Sequence, residues 1–494
     1  MIIQMIFDWA NRTPERIAII HNGRAWSYHS FARLIAAARG YFVRRGYIGP
    51  GYAVLAFDNL MDFWILSLAL RSLGLTTMAV GSAIAAGQVD LPNMRKLGLP
   101  NVRCVVANPS ETSAELNGLF TELGLPLLSV SLAGEPALGP EAFEAPHPLG
   151  GHILLTSGTT GIHKMVLMSS ACDADLLRLH VELFGIDQHS LLSVFNYGAW
   201  IGAAYKWAAS TWSVGGGVVF EQAREPWQVL LHPGISHAVL NPGTLAGILA
   251  APANAFPRND KLKLAVGAGA VTRLQVDQAK ARISPHLFNY IASTEAGVIA
   301  FTSLDARDDL RWHQLLPGRL VEIVDESDRP VPTGKIGRLR VDTAGGPTNY
   351  LHDDAATRAF FKDGFFYSGD LAVMRSDGRM ALQGRVTDVI NMRGEKISPA
   401  PIEERLGELL GCSGVCLFST QNDSGEEEIH VVIEAPTPID SDRLTAAIKQ
   451  EVGGFHRARV HYIAALPRNR MGKVLRQVVQ AQALASPSPF ARTG

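Results

Sequence analysis

The feature that most constrains the fold of this chain is an alternation of short apolar, strand-like runs with helical patterns from the N-terminus to Pro317. The strand-like runs lie at 16–20, 53–57, 102–107, 237–240 and 263–266. A chain that alternates strands with helices folds most readily into layers in which helices cover a largely parallel sheet. We therefore predict an α/β fold with layered sheets for this part of the chain.

After Pro317 the pattern changes to short strands without helices between them. Residues 321–325 and 337–341 are strand-like, and turn-forming residues at 328–330 and 332–334 separate them. This pattern predicts a small β-barrel-like subdomain. We expect it to complete a large N-terminal domain over residues 1–386.

A second domain is predicted beyond a boundary between Arg385 and Asp388. Its pattern is helix, strand, strand, helix and strand, at 401–410, 414–418, 429–434, 441–451 and 460–464. A unit of about 100 residues lies within the usual size range of a domain. We predict a small α+β domain over residues 387–494, with a tail from 486 onward.

The composition excludes several functional classes. The 494 residues carry a formal net charge of −1, so the chain lacks the positive field that attracts nucleic acid or anionic membranes. Arg71 and Gly74 interrupt the apolar stretch 63–86, whereas a membrane span needs about 20 mostly apolar residues. Four cysteines are too few for a disulfide framework, and the close pair Cys412 and Cys416 lacks the further ligands of a zinc site. The N-terminus has no signal-peptide pattern, so we expect a cytoplasmic protein without a membrane span.

The richest chemical motif is residues 155–164, Leu-Thr-Ser-Gly-Thr-Thr-Gly-Ile-His-Lys, directly after an apolar strand. Its two glycines allow a tight turn that exposes backbone N–H groups, and its hydroxyls and lysine add donors for an anion. These residues predict a phosphate-binding loop. It is not a Walker A loop, because no Gly-Lys-Ser/Thr follows a four-residue spacer.

This loop resembles the phosphate-binding signature of the adenylate-forming superfamily, which includes acyl- and aryl-CoA synthetases, adenylation domains and luciferases. His163 stands where the family usually has proline. The resemblance implies that the loop grips the phosphates of ATP. The residues to which it assigns this role are Thr156, Ser157, Gly158, Thr159, Thr160, Gly161 and Lys164.

Residues 288–297, Phe-Asn-Tyr-Ile-Ala-Ser-Thr-Glu-Ala-Gly, resemble the family motif Tyr-Gly-x-Thr-Glu. The resemblance implies that Thr294 meets the α-phosphate and that Glu295 helps to hold Mg²⁺, a hard cation that takes carboxylate and phosphate oxygens. The alternative is a Thr-Glu pair that caps a helix. The register puts Ile291 at the adenine-stacking position and Ala292 where the family carries glycine, and Tyr290 is an alternative partner for adenine. A second adenine-contacting segment is assigned to Gly267, Ala268 and Gly269.

Four further assignments follow from the resemblance. Residues 363–371 end in Gly-Asp-Leu, and Asp370 is assigned to the ribose hydroxyls, for which an acceptor-only carboxylate is suited. Asp388 is a second, less favoured candidate for the ribose, and Arg385 matches the arginine that also reaches it. Thr387 is placed at the hinge of the mobile C-terminal domain, a task that Asp388 would share. Residues 466–476 resemble the terminal Leu-Pro-x-Thr-x-x-Gly-Lys motif. Lys473 would bridge the carboxylate and the α-phosphate during adenylation.

Residues 195–200, Phe-Asn-Tyr-Gly-Ala-Trp, fall in the region that shapes the acid pocket in the family. Amino-acid activating members hold an aspartate where Asn196 stands, so the resemblance disfavours an amino acid. The Asn196–Tyr197 pair is similar to that of aryl-acid activating members. We assign Asn196, Tyr197 and Trp200 to the substrate, and Tyr205 and Trp207 would also suit a flat or apolar acid. A short or medium aliphatic acid is the alternative.

The implied reaction is ATP-dependent activation of a small carboxylic acid to an acyl-adenylate, followed by transfer to the thiol of CoA. Its implied cofactors are ATP, Mg²⁺ and CoA, and residues 393–399 resemble the CoA-ligase version of that segment. One alternative is a stand-alone enzyme that loads phosphopantetheine on a carrier protein in trans. Another is a catalytically weak nucleotide- or acyl-binding relative. A Rossmann oxidoreductase is disfavoured because no Gly-x-Gly-x-x-Gly follows the first strand. The sequence does not indicate an oligomeric state.

Overall fold

The structure is a computed structural model. It describes the chain apart from residues 1, 58, 81–98, 100, 108–117, 119, 123, 131, 133–135, 138–148, 157–163, 196–197, 199–200, 222–223, 344, 393–394, 413, 422–426, 436, 453–457, 469–473 and 486–494.

The α-helices are α1 Ile2–Arg12, α2 Tyr28–Arg44, α3 Leu60–Ser72, α4 Ser170–Phe184, α5 Gly202–Ser213, α6 Pro242–Leu249, α7 Arg273–Arg282, α8 Asp354–Phe360, α9 Ala400–Leu410, α10 Ser441–Val452 and α11 Arg476–Ala485. The strands are β1 Ile17–His21, β2 Arg24–Ser27, β3 Tyr52–Ala56, β4 Thr76–Ala79, β5 Val102–Ala107, β6 Leu127–Ser129, β7 His152–Leu155, β8 Met165–Met168, β9 Leu191–Ser193, β10 Gly217–Phe220, β11 His237–Leu240, β12 Lys263–Gly267, β13 His286–Ser293, β14 Gly297–Ser303, β15 Val321–Val324, β16 Gly337–Asp342, β17 Phe361–Lys362, β18 Phe365–Met374, β19 Met380–Arg385, β20 Ile390–Met392, β21 Glu395–Ile397, β22 Gly414–Gln421, β23 Glu427–Glu434 and β24 Ala458–Ile463. Short 3₁₀ helices span Pro226–Leu231, Arg307–Leu310 and Val386–Asp388.

Two large sheets form the first part of the chain and confirm the predicted layered α/β fold. One has eight strands in the order β14-β13-β12-β11-β9-β10-β1-β2, and the other has six in the order β6-β5-β3-β4-β7-β8. Most neighbours are parallel, and the edge pairs β1/β2, β13/β14 and β7/β8 are antiparallel. Because parallel strands are buried on both faces, they read as the short apolar runs from which the sequence predicted them.

The main core lies where helices pack on these sheets. Its largest buried side chains are Trp64 of α3 with Trp207 and Trp212 of α5. Helix α3 is apolar on almost every side, and its residues from Phe63 to Ser72 are buried. This burial explains the apolar run near residue 63 as core. None of the described helices is long and apolar enough to cross a membrane.

The region after Pro317, for which the sequence predicted a small β-barrel-like subdomain, forms a small antiparallel sheet. Its strands run in the order β15-β16-β18-β17, and β19 pairs with β18. Strand β18 is the longest, and it carries the predicted ribose motif at its centre, opposite the end of β19. The sheet therefore places Asp370 directly opposite Arg385, although the two lie fifteen positions apart in the sequence.

The last part of the chain contains the predicted α+β elements. A three-stranded sheet, β22-β23-β24, packs against α9 and α10 through an apolar cluster that includes Leu406 and Val431. Helix α11 was not predicted. It is short, and it buries Val479 and Ala483 at an i, i+4 spacing against the β-sheet. We propose a domain boundary between residues 386 and 387, which lies within the 3₁₀ turn Val386–Asp388.

Candidate active site

The two ends of the predicted phosphate-binding loop meet at a hairpin. Strands β7 and β8 are antiparallel with Leu155 opposite Met165. The Thr156 N–H donates to the Lys164 carbonyl at 2.9 Å, and the Lys164 N–H donates to Thr156 Oγ1 at 3.3 Å. Both anchors are therefore tied to each other at the carboxyl end of β7. The intervening residues Ser157, Gly158, Thr159, Thr160, Gly161 and His163 lie outside the described residues.

The Lys164 amine packs on two aromatic rings. Its Nζ lies 4.4 Å from the centre of the Phe360 ring and 5.4 Å from the centre of the Tyr350 ring. A cation over a ring face is attracted by the negative face of the π-system. This contact holds the lysine beside the β-rich subdomain.

Thr294 and Glu295 lie in the turn between β13 and β14, so the alternative of a helix cap is wrong. Glu295 is 8% exposed, and the hydroxyl of Tyr350 donates to its Oε1 at 2.7 Å. Burial first, and then the Glu295 charge, raises the pKa of Tyr350 above its usual range. Tyr350 therefore stays a protonated donor at neutral pH. Sequence reasoning missed Tyr350, because its partner lies 55 positions away.

The buried carboxylate of Glu295 suits a cation that takes most of its ligands from substrate phosphates and water, as Mg²⁺ commonly does. Among the described residues no group of three or more His, Cys, Asp or Glu side chains is arranged to hold a metal. The donor set of the protein is thus consistent with a cation that arrives with ATP. It does not fit a resident metal centre in the described part of the chain.

Lys206 is a second lysine at this turn, and sequence reasoning missed it. It is 5% exposed, and its Nζ donates to the backbone carbonyl of Thr294 at 3.2 Å. One turn earlier on α5, a Cβ atom at Gly202 would lie 3.7 Å from Thr294 Oγ1. Helix α5 therefore approaches the Thr294–Glu295 turn closely. The sequence did carry a signal for Lys206, because it is the one charged residue among the small and aromatic residues of α5.

The adenine-contacting segment lies at the end of β12. A Cβ atom at Gly267 would come within 2.6 Å of the Tyr290 ring, so only glycine allows this ring to pack there. Tyr290 is 6% exposed and faces Trp207 in the core, which argues against the alternative in which it serves adenine. Ile291 is half-buried. Ala268 has a φ of 67°, a left-handed conformation that is rare for alanine.

Gly269, the last member of this segment, lies against a proline at the start of α6. A Cβ atom at Gly269 would lie 3.2 Å from Pro242 Cγ. The segment is thus packed on one side by α6 and on the other by the Tyr290 ring. Such packing limits its side chains to small ones.

The predicted ribose pair is brought together in the small sheet. Asp370 lies directly opposite Arg385, and Arg385 Nε is 3.0 Å from Asp370 Oδ1. Arg385 Nη1 also donates to the Ser368 carbonyl at 2.8 Å. Gly369, which lies between Ser368 and Asp370 in the chain, has a φ of 78°, and glycine adopts this conformation without strain. The pair is partly exposed, so its polar atoms lie within reach of a ligand.

Thr387 lies in the 3₁₀ turn that joins the two predicted domains. Its hydroxyl donates to Asp388 Oδ1 at 3.1 Å. On the N-terminal side, Gly384 has a φ of 109° and lies against Ser398, whose hydroxyl donates to the Gln383 carbonyl.

The substrate residues Asn196, Tyr197 and Trp200 and the lysine Lys473 lie outside the described residues. Next to them, Phe195 is buried with a φ of 46°, so the chain turns sharply as it enters this segment.

Tyr205 and Trp207 do not suit a substrate pocket. Each is 1% exposed, and Tyr205 stacks on Trp64 and on His152 in the core. That part of the prediction is wrong because helix α5 turns these rings inward, toward the sheets.

Comparisons with known proteins show what this chain is similar to. Residues 140–351 match the family model described as AMP-binding enzyme. A 4-chlorobenzoate–CoA ligase of an Arthrobacter species is 24% identical over 518 residues, which cover 97% of this chain and 95% of that protein. A salicylyl-CoA synthase / salicylate adenylyltransferase of a Streptomyces species is 26% identical over 519 residues, which cover 97% of this chain and 93% of that protein.

Solved structures share the fold over nearly the whole chain. An amide bond synthetase of Marinactinospora thermotolerans has a TM-score of 0.82 at 19% identity, with 97% of this chain and 99% of that chain covered. The o-succinylbenzoate coenzyme A synthetase of Bacillus subtilis, in complex with AMP, has a TM-score of 0.79 at 18% identity, with 99% and 98% covered. Residues 140–351 therefore carry an AMP-binding enzyme domain by that family model, and nearly the whole chain is similar in sequence to CoA ligases and adenylating enzymes.

Proposed function

We propose that this enzyme activates an aryl or small apolar carboxylic acid with ATP and transfers the acyl group to CoA. In the first half-reaction the carboxylate attacks the α-phosphorus, so a carboxyl–phosphate bond forms and pyrophosphate leaves. In the second half-reaction the thiol attacks the acyl carbon, and AMP leaves. The observation that carries the proposal is the register of Asp370 with Arg385 at the position where the family binds ribose.

The nucleotide would be held at its three parts by different elements. Asp370 accepts hydrogen bonds from the ribose hydroxyls, and Arg385 fixes the orientation of that carboxylate. Ile291 and the segment Gly267–Gly269 cover the adenine. An aliphatic side chain at position 291 gives contact area without ring stacking, which is worth about 0.5–1.5 kcal/mol in aromatic pairs. We therefore expect weaker adenine binding than in members with an aromatic residue there.

The phosphates would lie between the loop and the Thr294–Glu295 turn. The Thr294 hydroxyl donates to the α-phosphate, and Lys164 adds a positive charge beside the loop. When bound, Mg²⁺ neutralises negative charge on the departing pyrophosphate, and Glu295 would be its protein ligand. Tyr350 holds one oxygen of Glu295, so that the other can be directed toward the cation. Fixed donors of this kind act without reorganisation during the reaction.

Lys473 would supply a positive charge between the carboxylate and the α-phosphate in the first half-reaction. The C-terminal domain, residues 387–494, would then rotate about Thr387 to admit the thiol. A threonine hinge tolerates such a change, because a hinge residue needs only to absorb large changes of φ and ψ.

The acid and the acceptor rest on the sequence and on the named relatives. The names of two relatives specify benzoate- or salicylate-type acids, which supports an aryl acid at Asn196, Tyr197 and Trp200. Free CoA is supported by the ligase names. A carrier protein that is loaded in trans stays a second candidate, which the adenylyltransferase name of one relative favours.

The experiment is pyrophosphate release from ATP and Mg²⁺ across benzoic, cinnamic, aliphatic and amino acids, with and without CoA. We expect release with aryl acids and faster turnover with CoA. Lys473→Ala should abolish adenylation but keep thioester formation from a preformed adenylate, and Asn196→Ala should change acid preference more than the KM for ATP. No release with any acid would refute the proposal and favour a binding relative. Normal adenylation by the Lys473 variant would refute its role.

A further inference from the structure

Arg476, the first residue of α11, makes an unusual number of contacts for one side chain. Its Nη1 and Nη2 donate to the two carboxylate oxygens of Glu403 on α9 at 2.6 and 2.7 Å. Nη1 also donates to the Leu417 carbonyl on β22 at 2.8 Å. A guanidinium matches a carboxylate in such a two-bond fork with fixed geometry. Arg476 therefore docks α11 firmly onto the C-terminal sheet and helix.

The remaining nitrogen of the same guanidinium reaches the hinge. Arg476 Nε donates to Asp388 Oδ2 at 3.1 Å, while the other oxygen of Asp388 accepts the Thr387 hydroxyl. Asp388 thus lies between the hinge residue and the C-terminal unit. The arginine side chain is 23% exposed, so water screens this contact only partly.

Arg476 also lies at the base of the segment that contains Lys473. Leu475 N–H donates to the Pro467 carbonyl at 2.8 Å, and Arg468 pairs with Val474 as an antiparallel bridge. The two ends of segment 469–473 are therefore tied to each other immediately before Arg476. A shift of Arg476 relative to Asp388 would move both ends together.

We propose that Arg476 is a positioning residue for adenylation, because it joins the base of the Lys473 segment to the hinge through Asp388. The inference rests on the proposed function for its catalytic consequence. It places Asp388 on the moving side, so the rotation takes place at residues 386–387, after the last residue of β19. Asp388 is then an anchor for the C-terminal unit, beside the pivot at Thr387.

The discriminating variant is Asp388→Asn, which keeps the side-chain volume and leaves the Glu403 fork intact. Arg476→Lys keeps the charge but loses the fork, and Arg459→Gln is the matched control. Arg459 is exposed and pairs with Glu428 of the neighbouring strand β23 in the same unit. Single-turnover pyrophosphate release and thermal unfolding are measured for wild type, the single variants and the Asp388/Arg476 double variant.

We expect Asp388→Asn to lower the adenylation rate constant by about tenfold, the effect of one charge-assisted hydrogen bond, with the KM for ATP within about twofold. The double variant should be no slower than the slower single variant, because Arg476→Lys already disrupts the contact whose charge Asp388→Asn removes. Arg459→Gln should match wild type. Additive losses, or an Asp388→Asn rate equal to that of the control, would overturn the inference. A loss of thermal stability at an unchanged rate would overturn it too.

Hydrogen exchange separates this inference from the proposed function. If wild type releases no pyrophosphate with any acid, the proposed function fails, yet Asp388→Asn should still speed amide exchange of Leu475 and Val479 several-fold. Unchanged exchange in that variant would overturn the coupling itself, whatever the activity.

Discussion

The hydroxyl of Tyr350 contacts the Thr294–Glu295 turn directly, so its removal tests what that contact contributes. Tyr350→Phe removes only the oxygen atom that donates to Glu295 Oε1. The ring keeps its edge-on contacts with Phe360 and Phe361, at centroid distances of 6.1 and 5.2 Å, so no cavity opens. The variant therefore isolates one hydrogen bond to a buried carboxylate.

The expected magnitude follows from the burial of both partners. Glu295 is 8% and Tyr350 is 2% exposed, so water cannot replace the lost donor fully. A hydrogen bond to a charged group contributes about 1.5–3 kcal/mol to stability. We expect the free energy of unfolding to fall by about this amount. Because Glu295 would also lose its fixed orientation, we expect the Mg²⁺ concentration for half-maximal pyrophosphate release to rise by roughly tenfold or more.

The assay combines urea unfolding with a Mg²⁺ titration at saturating ATP. Tyr367→Phe is the matched control, because its hydroxyl accepts a hydrogen bond from Arg340 Nη1 at 3.0 Å in a part-buried site on the small sheet. The control should leave the Mg²⁺ dependence unchanged. If Tyr350→Phe gives the same unfolding midpoint and the same Mg²⁺ curve as wild type, the hydrogen bond does not orient Glu295, and the argument is refuted.

Three further outcomes are expected. Asp370→Asn should raise the KM for ATP by roughly tenfold or more, because the ribose hydroxyls lose a charged acceptor. The loss of stability should be small, since the ion pair with Arg385 is part-exposed and such pairs contribute about 0–1 kcal/mol. An unchanged KM would exclude the ribose role of Asp370. Lys206→Met should lower both kcat and, by about 1–3 kcal/mol, the free energy of unfolding, because the part-buried Thr294 carbonyl loses its donor. Unchanged kinetics would exclude a positioning role for Lys206. Burial first lowers the pKa of His430 to about 4, so the folded state favours the neutral ring, and stability should be complete above about pH 6.5 and fall toward pH 4. Urea unfolding at pH 7 and pH 5 tests this, and a His430→Gln variant that loses as much stability as wild type between these values would contradict it.

Much of the fold was readable because its signals are local. The parallel strands are short buried apolar runs, which the sequence shows directly. The apolar stretch that begins near residue 63 forms a helix and then a strand, as the breaks at Arg71 and Gly74 predicted. Helix α11 was missed, because only Val479 and Ala483 mark its buried face and its stability depends on the sheet beneath it.

The sequence by itself determined which chemical groups stand in which order: the hydroxyl- and glycine-rich loop before Lys164, the pair Thr294 and Glu295, and the motif that ends at Asp370. Each lies within one short segment, where residue type and spacing are enough for a prediction. Only the tertiary structure decided what supports them. The contacts Tyr350–Glu295, Lys206–Thr294 and Arg476–Asp388 join residues 55 to 88 positions apart. Such pairs leave no pattern in one sequence, because the distance between them is set by how helices and sheets pack, and side chains that lie far apart along the chain meet only when that packing is complete.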